Sequence, residues 1–184
     1  AVAGRLAAAR VLGGLAEQGR ELDDVNMQPP ANPDVSGGPG SLVSVEELGR
    51  EGARFVNDAT TPDGIREVTL QEPVASPVRV FIGVDAASTP EQRVGLAMAE
   101  LRRTGAFDRG TLLIQAPAGS GYANSFPVDV LEVLTRGDCA SVAVGYGVMP
   151  SFLSLNKVPV ARQTQRLLLD AIRAEVQDRP TKPR

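Results

Sequence analysis

The sequence predicts an α/β fold: a parallel sheet with flanking helices, left incomplete, and preceded by a helical amino-terminal segment. Three observations predict it. Between residues 78 and 176, strand-like and helix-like stretches alternate three times. The strand-like stretches are apolar at successive positions, as in strands covered on both faces. One of the helix-like stretches opens on a capping box, and two of them close on a glycine.

Residues 1–25 are Ala-rich. Leu6, Val11, Leu12 and Leu15 give 2–22 a weakly amphipathic helical face. Residues 26–43 include "NMQPPANPDVSGGPGS", which has little helix or strand potential and reads as a Pro/Gly-rich linker. In "SVEELGREGARFV", Ser44 and Glu47 have the spacing of a capping box, and Leu48, Ala53, Phe55 and Val56 can form part of a buried face. In "TPDGIREV", Thr61 caps a short helix with Pro62 at its first position.

The regular pattern starts at "VRVFIGV" (78–84), a β-branched apolar strand. The next helix takes Thr89 as cap, Pro90 at its first position and Gln92 to complete a capping box. Val94, Ala97, Met98 and Leu101 recur at helical spacing, and Gly105 ends it. "TLLIQAP" (111–117) is the second strand, "PVDVLEVLTRG" (127–137) a helix stopped by Gly137, and "CASVAVGYG" (139–147) the third strand. Residues 160–176 form a long helix with Val160, Leu167, Leu168, Ala171, Ile172 and Val176 on one side. A further strand is expected after it. Instead "QDRPTKPR" follows, and the pattern reads as unfinished. The chain does not start with Met, which fits a processed or excised piece of a longer protein.

Composition narrows function. The 184 residues are 42% apolar and 22% charged, enough for one medium domain with a real core. The net charge of −3, with no basic block, argues against a nucleic-acid footprint. No run of roughly 20 apolar residues, the length a membrane span needs, occurs, and the first residues lack a signal-peptide core. Cys139 is the only cysteine and lies in an apolar run, which predicts a buried, inert thiol.

The chain has no histidine. It therefore cannot assemble a Ser–His–Asp or Cys–His site, nor a histidine metal site, and one cysteine makes no thiolate cluster. There is no Gly-x-Ser-x-Gly, so no nucleophile elbow and no catalytic residue of that kind is expected here. "GSGYAN" and "GYGVMP" both miss the third glycine of a dinucleotide fingerprint, and neither has the lysine of a P-loop. No cofactor and no metal is expected.

Two readings of "APAGSGY" stand side by side. It is a tight turn whose glycines supply positive φ. Alternatively, it lies at the carboxyl end of a parallel strand and offers N–H groups to a developing oxyanion. Asp108 and Asp138 read as caps or loop carboxylates, and Asp85, directly after a strand, is the one acid placed near such a site. Arg102 and Arg103 read as the solvated end of a helix.

Four stretches in order resemble a known family: "SGGPGSLVSVEELGREGARFV", "VRVFIGVDAASTPEQRVGLAMAELRRTGAFDR", "TLLIQAPAGSGY" and "LTRGDCASVAVGYGVMPSFLS". Together, over residues 36–176, they are similar to the soluble hydrolase-like part of actinobacterial α/β-hydrolase-like membrane proteins. The resemblance implies that 44–184 is the amino-terminal half of an α/β-hydrolase-like domain. It places Gly119, Ser120 and Gly121 as oxyanion-hole candidates, where the family has a Gly-Thr-Gly-Trp-like turn. Tyr122 and Tyr146 become pocket candidates, although the family's second aromatic after Tyr146 is replaced here by Val148.

The elbow serine would come one strand after helix 160–176, and the acid and histidine later still. The implied function is part of a serine-hydrolase-like (esterase or acyl hydrolase) domain acting on a small acyl or ester substrate. The chain would be inactive alone, and its partner would be the remainder of that domain. Membrane association is implied only through the family's upstream spans. The alternative from a different class is a non-catalytic α/β module that binds a partner through an open sheet edge.

Overall fold

The computed structural model describes residues 28–149, 155–177, 179–180 and 183, together with 13–14, 17–18 and 21. Residues 13–14 and 17–18 are helical; the rest of the helix expected over 2–22 lies outside the described residues.

The named elements are α1 (Val45–Asn57), α2 (Pro62–Thr69), β1 (Val78–Ile82), α3 (Pro90–Arg103), β2 (Thr111–Gln115), α4 (Ser125–Leu134), β3 (Cys139–Val144) and α5 (Val158–Gln177). Their starts follow the capping chemistry. Ser44 and Glu47 form the reciprocal box at α1, as Thr89 and Gln92 do at α3. The Thr61 hydroxyl accepts the Gly64 N–H at α2. At α4 the cap is Asn124, whose side chain accepts the Phe126 N–H, so this helix starts two residues before the proline that signals it.

The three strands are parallel, in the order β1-β3-β2. Val78 pairs with Ala140 and Ile82 with Val144; on the other side Thr111 pairs with Cys139 and Gln115 with Ala143. Every residue of β1 and β3 is buried, whereas every residue of β2 is only half-buried. That difference follows from position. The outer edge of β1 is bridged by Val35 at Arg79, with Ser36 N–H donating to the Arg79 carbonyl at 3.0 Å. The outer edge of β2 has no strand beside it among the described residues.

Helices cover both faces. Arg79 and Phe81 point to the face that carries α1 and α4: Arg79 binds the Phe55 carbonyl and the Glu132 carboxylate, and Phe81 packs at 6.0 Å from Phe55. On the opposite face α3 and α5 lie against one another, joined at the rim by Arg102 and Glu175 at 2.7 Å. Strand β1 contains a fully buried arginine, which its apolar spelling does not suggest. The Arg79 guanidinium stays charged because Glu132 takes Nε and Nη2 (2.7 and 2.8 Å) and Asp129 takes Nη2.

Residues 28–43 contain no helix or strand, as their composition requires, yet they pack on the sheet. Val35 and Ser36 are buried. Glu100, buried on α3, accepts from the Ser36 and Ser41 hydroxyls and the Leu42 N–H. Arg103 also turns inward, to Glu100 and to the Pro33 and Val35 carbonyls, so only Arg102 of the pair is mainly solvated. No helix among the described residues is long and apolar enough to cross a membrane.

Candidate functional site

All three strands point their carboxyl ends at one rim, where the connecting loops converge. The Gly145 N–H donates to the Ile82 carbonyl at 2.8 Å, linking the loops after β3 and β1. The Met149 N–H donates to the Gly119 carbonyl at 3.2 Å, linking the loops after β3 and β2. Between them lies a narrow cleft with about 20 Å³ of interior volume, bounded by the loop after β1, by Ser120 and Gly121, and by Glu47–Gly52 of α1. That volume holds a single water and is far below the ~300–1,000 Å³ of a typical small-molecule pocket.

The part played by α1 comes from two glycines. Gly49 has φ 68° and ψ 174°, a backbone that side chains resist, and it kinks the helix there. Gly83 ends β1 directly under the kink. A Cβ at this position would overlap the Glu47 carbonyl oxygen, so only glycine lets the helix settle on the strand end. The rim that results is acid-rich, with Glu47, Glu51 and Asp85 against Arg50.

The 118–122 loop is organised by its own bonds. The Gly121 N–H donates to the Ala118 carbonyl (2.9 Å), the Ala118 N–H to the Tyr122 carbonyl (2.8 Å), and the Tyr122 N–H to the Ser120 hydroxyl (3.3 Å). Gly121 adopts φ 90°, so the tight-turn reading describes the loop's shape. The turn also sorts the candidate donors. The Gly121 N–H is engaged inside it, whereas the N–H groups of Gly119 and Ser120 have no acceptor among the described residues.

The structure therefore brings Ser120 and Gly121 to the cleft, with Gly119 held behind them by Met149. Tyr122, 49% exposed, and half-buried Tyr146 do not form its wall. Sequence reasoning passed over the contribution of α1. Its signal was present in "LGREGARFV", where two glycines interrupt a helical pattern three residues apart. Among the described residues the cleft is lined by the carboxylates of Glu47, Glu51 and Asp85, the guanidinium of Arg50 and the Ser120–Gly121 backbone, and it holds no nucleophile–base pair. Ser120 is the one hydroxyl lining it, and that oxygen is occupied as an acceptor within the turn.

A sequence model of an α/β-hydrolase family matches residues 78–184, and a model of that family's N-terminus matches residues 4–59. The chain belongs to this α/β-hydrolase family. No curated protein and no solved structure matches it. The match over 78–184 covers all three strands, the 118–122 loop and both helices of the α3–α5 face. The N-terminal match takes in the Pro/Gly segment from Asn32 to Ser41 and α1 with its kink. Both walls of the cleft thus lie within segments of the α/β-hydrolase family.

Proposed function

We propose that this chain supplies the oxyanion side of a serine-hydrolase-like site acting on an ester or related acyl bond. The attacking serine, its histidine and its acid come from polypeptide outside these 184 residues, and the chain alone has no turnover. One observation carries the reading. Among the described residues the N–H groups of Gly119 and Ser120 have no acceptor, and they sit at the carboxyl end of β2, whose outer edge has no strand beside it among those residues.

Topology supports the geometry. Parallel crossovers are right-handed. The path from β1 through α3 leads outward to β2, and the path from β2 through α4, on the other face, leads back to β3. Helix α5 shares the face of α3, so a parallel strand following it lands on the free edge of β2. A Gly-x-Ser-x-Gly turn at the end of that strand would stand beside the 118–122 loop. The serine hydroxyl would add to the acyl carbonyl while the two backbone N–H groups hold the oxygen as it becomes negative. Attachment to a membrane, through spans upstream of this chain, is supported by the resemblance alone.

The test uses a longer polypeptide that continues through such a strand. Its serine Oγ should stand within about 6 Å of the 119–121 backbone, one hydrogen bond plus a carbonyl away. Ser120→Pro, which removes one donor, should lower kcat on a p-nitrophenyl ester ~10²–10³-fold with KM little changed. A serine facing away from the loop, or a kcat indifferent to Ser120→Pro, defeats the proposal.

A further inference from the structure

The loop that carries the oxyanion candidates is closed at its base by a side chain from the strand it leaves. Gln115 is the last residue of β2, and its Nε2 donates to the Asn124 carbonyl at 2.8 Å. Asn124 in turn caps α4, its Oδ1 accepting the Phe126 N–H at 3.1 Å. One side chain thus joins the end of β2 to the start of α4 and closes a loop of residues 116–123. The turn bonds of Ala118, Gly121 and Tyr122 all lie inside that loop. Stability does not account for the closing bond. The Gln115 Oε1 is buried and has no hydrogen-bond partner among the described residues. Leaving a buried acceptor unpaired costs more than one neutral hydrogen bond returns. Turning the amide over gives no relief, because Oε1 would then face the Asn124 carbonyl, acceptor against acceptor. Methionine would fill a similar space with no strong hydrogen-bonding group to strand.

We infer that Gln115 is a positioning residue: it holds the 116–123 loop, and with it the N–H groups of Gly119 and Ser120, in a fixed place at the carboxyl rim. A donor to a developing oxyanion works by standing in place before the charge forms. A misplacement of about 1 Å in such a group costs on the order of 10²-fold in rate. The loop has little else to fix it. Ala116, Ala118, Gly119 and Gly121 offer almost no side chain as an anchor, so the bond at its base and the Met149 N–H on the Gly119 carbonyl carry the constraint from outside the turn. The hold on the loop rests on this geometry alone, and its consequence for catalysis rests on the hydrolase reading above.

Gln115→Met removes the donor and the stranded acceptor together. In the 184-residue chain it should speed hydrogen exchange at the Ala118 and Gly121 amides roughly 2–10-fold, the worth of one neutral bond, and leave Cys139–Val144 unchanged. The urea midpoint should hold or rise, whereas loss of a purely structural bond would lower it. Gln115→Glu, which cannot donate when ionised, should speed the same two amides and decides the matter if Gln115→Met fails to fold. Unchanged exchange at Ala118 and Gly121 overturns the inference, as does a lowered midpoint in Gln115→Met. In the longer polypeptide, Gln115→Met should lower kcat on the p-nitrophenyl ester ~10-fold or more with KM little changed. If Ser120→Pro lowers kcat there and Gln115→Met does not, the hydrolase reading stands and this inference falls. If Ser120→Pro has no effect, the hydrolase reading falls, and the exchange rates alone decide whether Gln115 holds the loop.

Discussion

Cys139 and Arg79 are both buried on neighbouring strands of the sheet, and they differ in what burial does to them. Cys139 is 2% exposed on the central strand, and burial pushes its thiol up to about 11, with the nearby Glu132 carboxylate adding to the shift. At neutral pH it is a protonated thiol with no route to a reagent, so Ellman's reagent should find no reactive sulfur in the native chain and one per chain in denaturant. A stoichiometric native reaction would contradict the burial. For Arg79, burial lowers the pKa, but the Glu132 and Asp129 carboxylates outweigh it and hold the guanidinium above its ordinary value. Removing one partner leaves a cation in a dry place. Glu132→Leu should therefore cost about 3 kcal/mol or more in urea unfolding, whereas a simultaneous Arg79→Met should restore much of that loss. The sulfur could be foreseen from its apolar run. The arginine could not, because its compensating carboxylates lie 50 and 53 residues away on α4.

Elements were legible where local chemistry decides them. The boxes at Ser44–Glu47 and Thr89–Gln92 are written in adjacent residues, and both form as read. Strand ends were less so: β1 and β3 stop two and three residues early because Gly83 and Gly145 leave the ladder to build the rim of the cleft. The glycines of α1 were legible as interruptions, but where the kink rests was not, since that depends on the contact of Glu47 with Gly83 at the end of β1. Gly83→Ala should accordingly push α1 off the strand end and destabilise the chain by about 1–3 kcal/mol, as overpacking does. An unchanged melting temperature would show that the close approach is not needed. The docking of residues 34–43 on α3 depends on ionised Glu100. Burial raises that carboxyl's pKa, but Arg103, the Leu42 N–H and the Ser36 hydroxyl together bring it below the usual value. A folded pKa below the unfolded one stabilises above the unfolded value, near ~4.3, and the gain disappears as pH falls through the folded value. Chain stability should therefore drop as the solution is acidified below about pH 4, and Glu100→Gln should flatten that part of the profile.

At the scale of the whole molecule, the sheet is asymmetric among the described residues, with one edge bridged by Val35 and no strand beside the other edge along β2. An alternating pattern of strands and helices carries the direction of growth, because handedness fixes which edge receives the next strand; it does not carry the contents of that strand. This is why the parallel sheet and the position of the 118–122 loop at its carboxyl rim were readable, and what lies beyond β2 was not. The asymmetry has a measurable consequence. In a parallel strand, N–H groups alternate between the two neighbours. Among the described residues, those of β2 that point away from β3 have no strand partner, whereas Cys139–Val144 is flanked by a strand on each side. Hydrogen exchange should find Thr111–Gln115 protected at alternate residues only and Cys139–Val144 protected throughout. In a longer polypeptide that adds a strand after α5, the missing protection should appear in β2 and leave β1 unchanged. Full protection of β2 in the shorter chain would mean that its edge is already covered, and protection gained at β1 instead would reverse the direction in which this sheet grows.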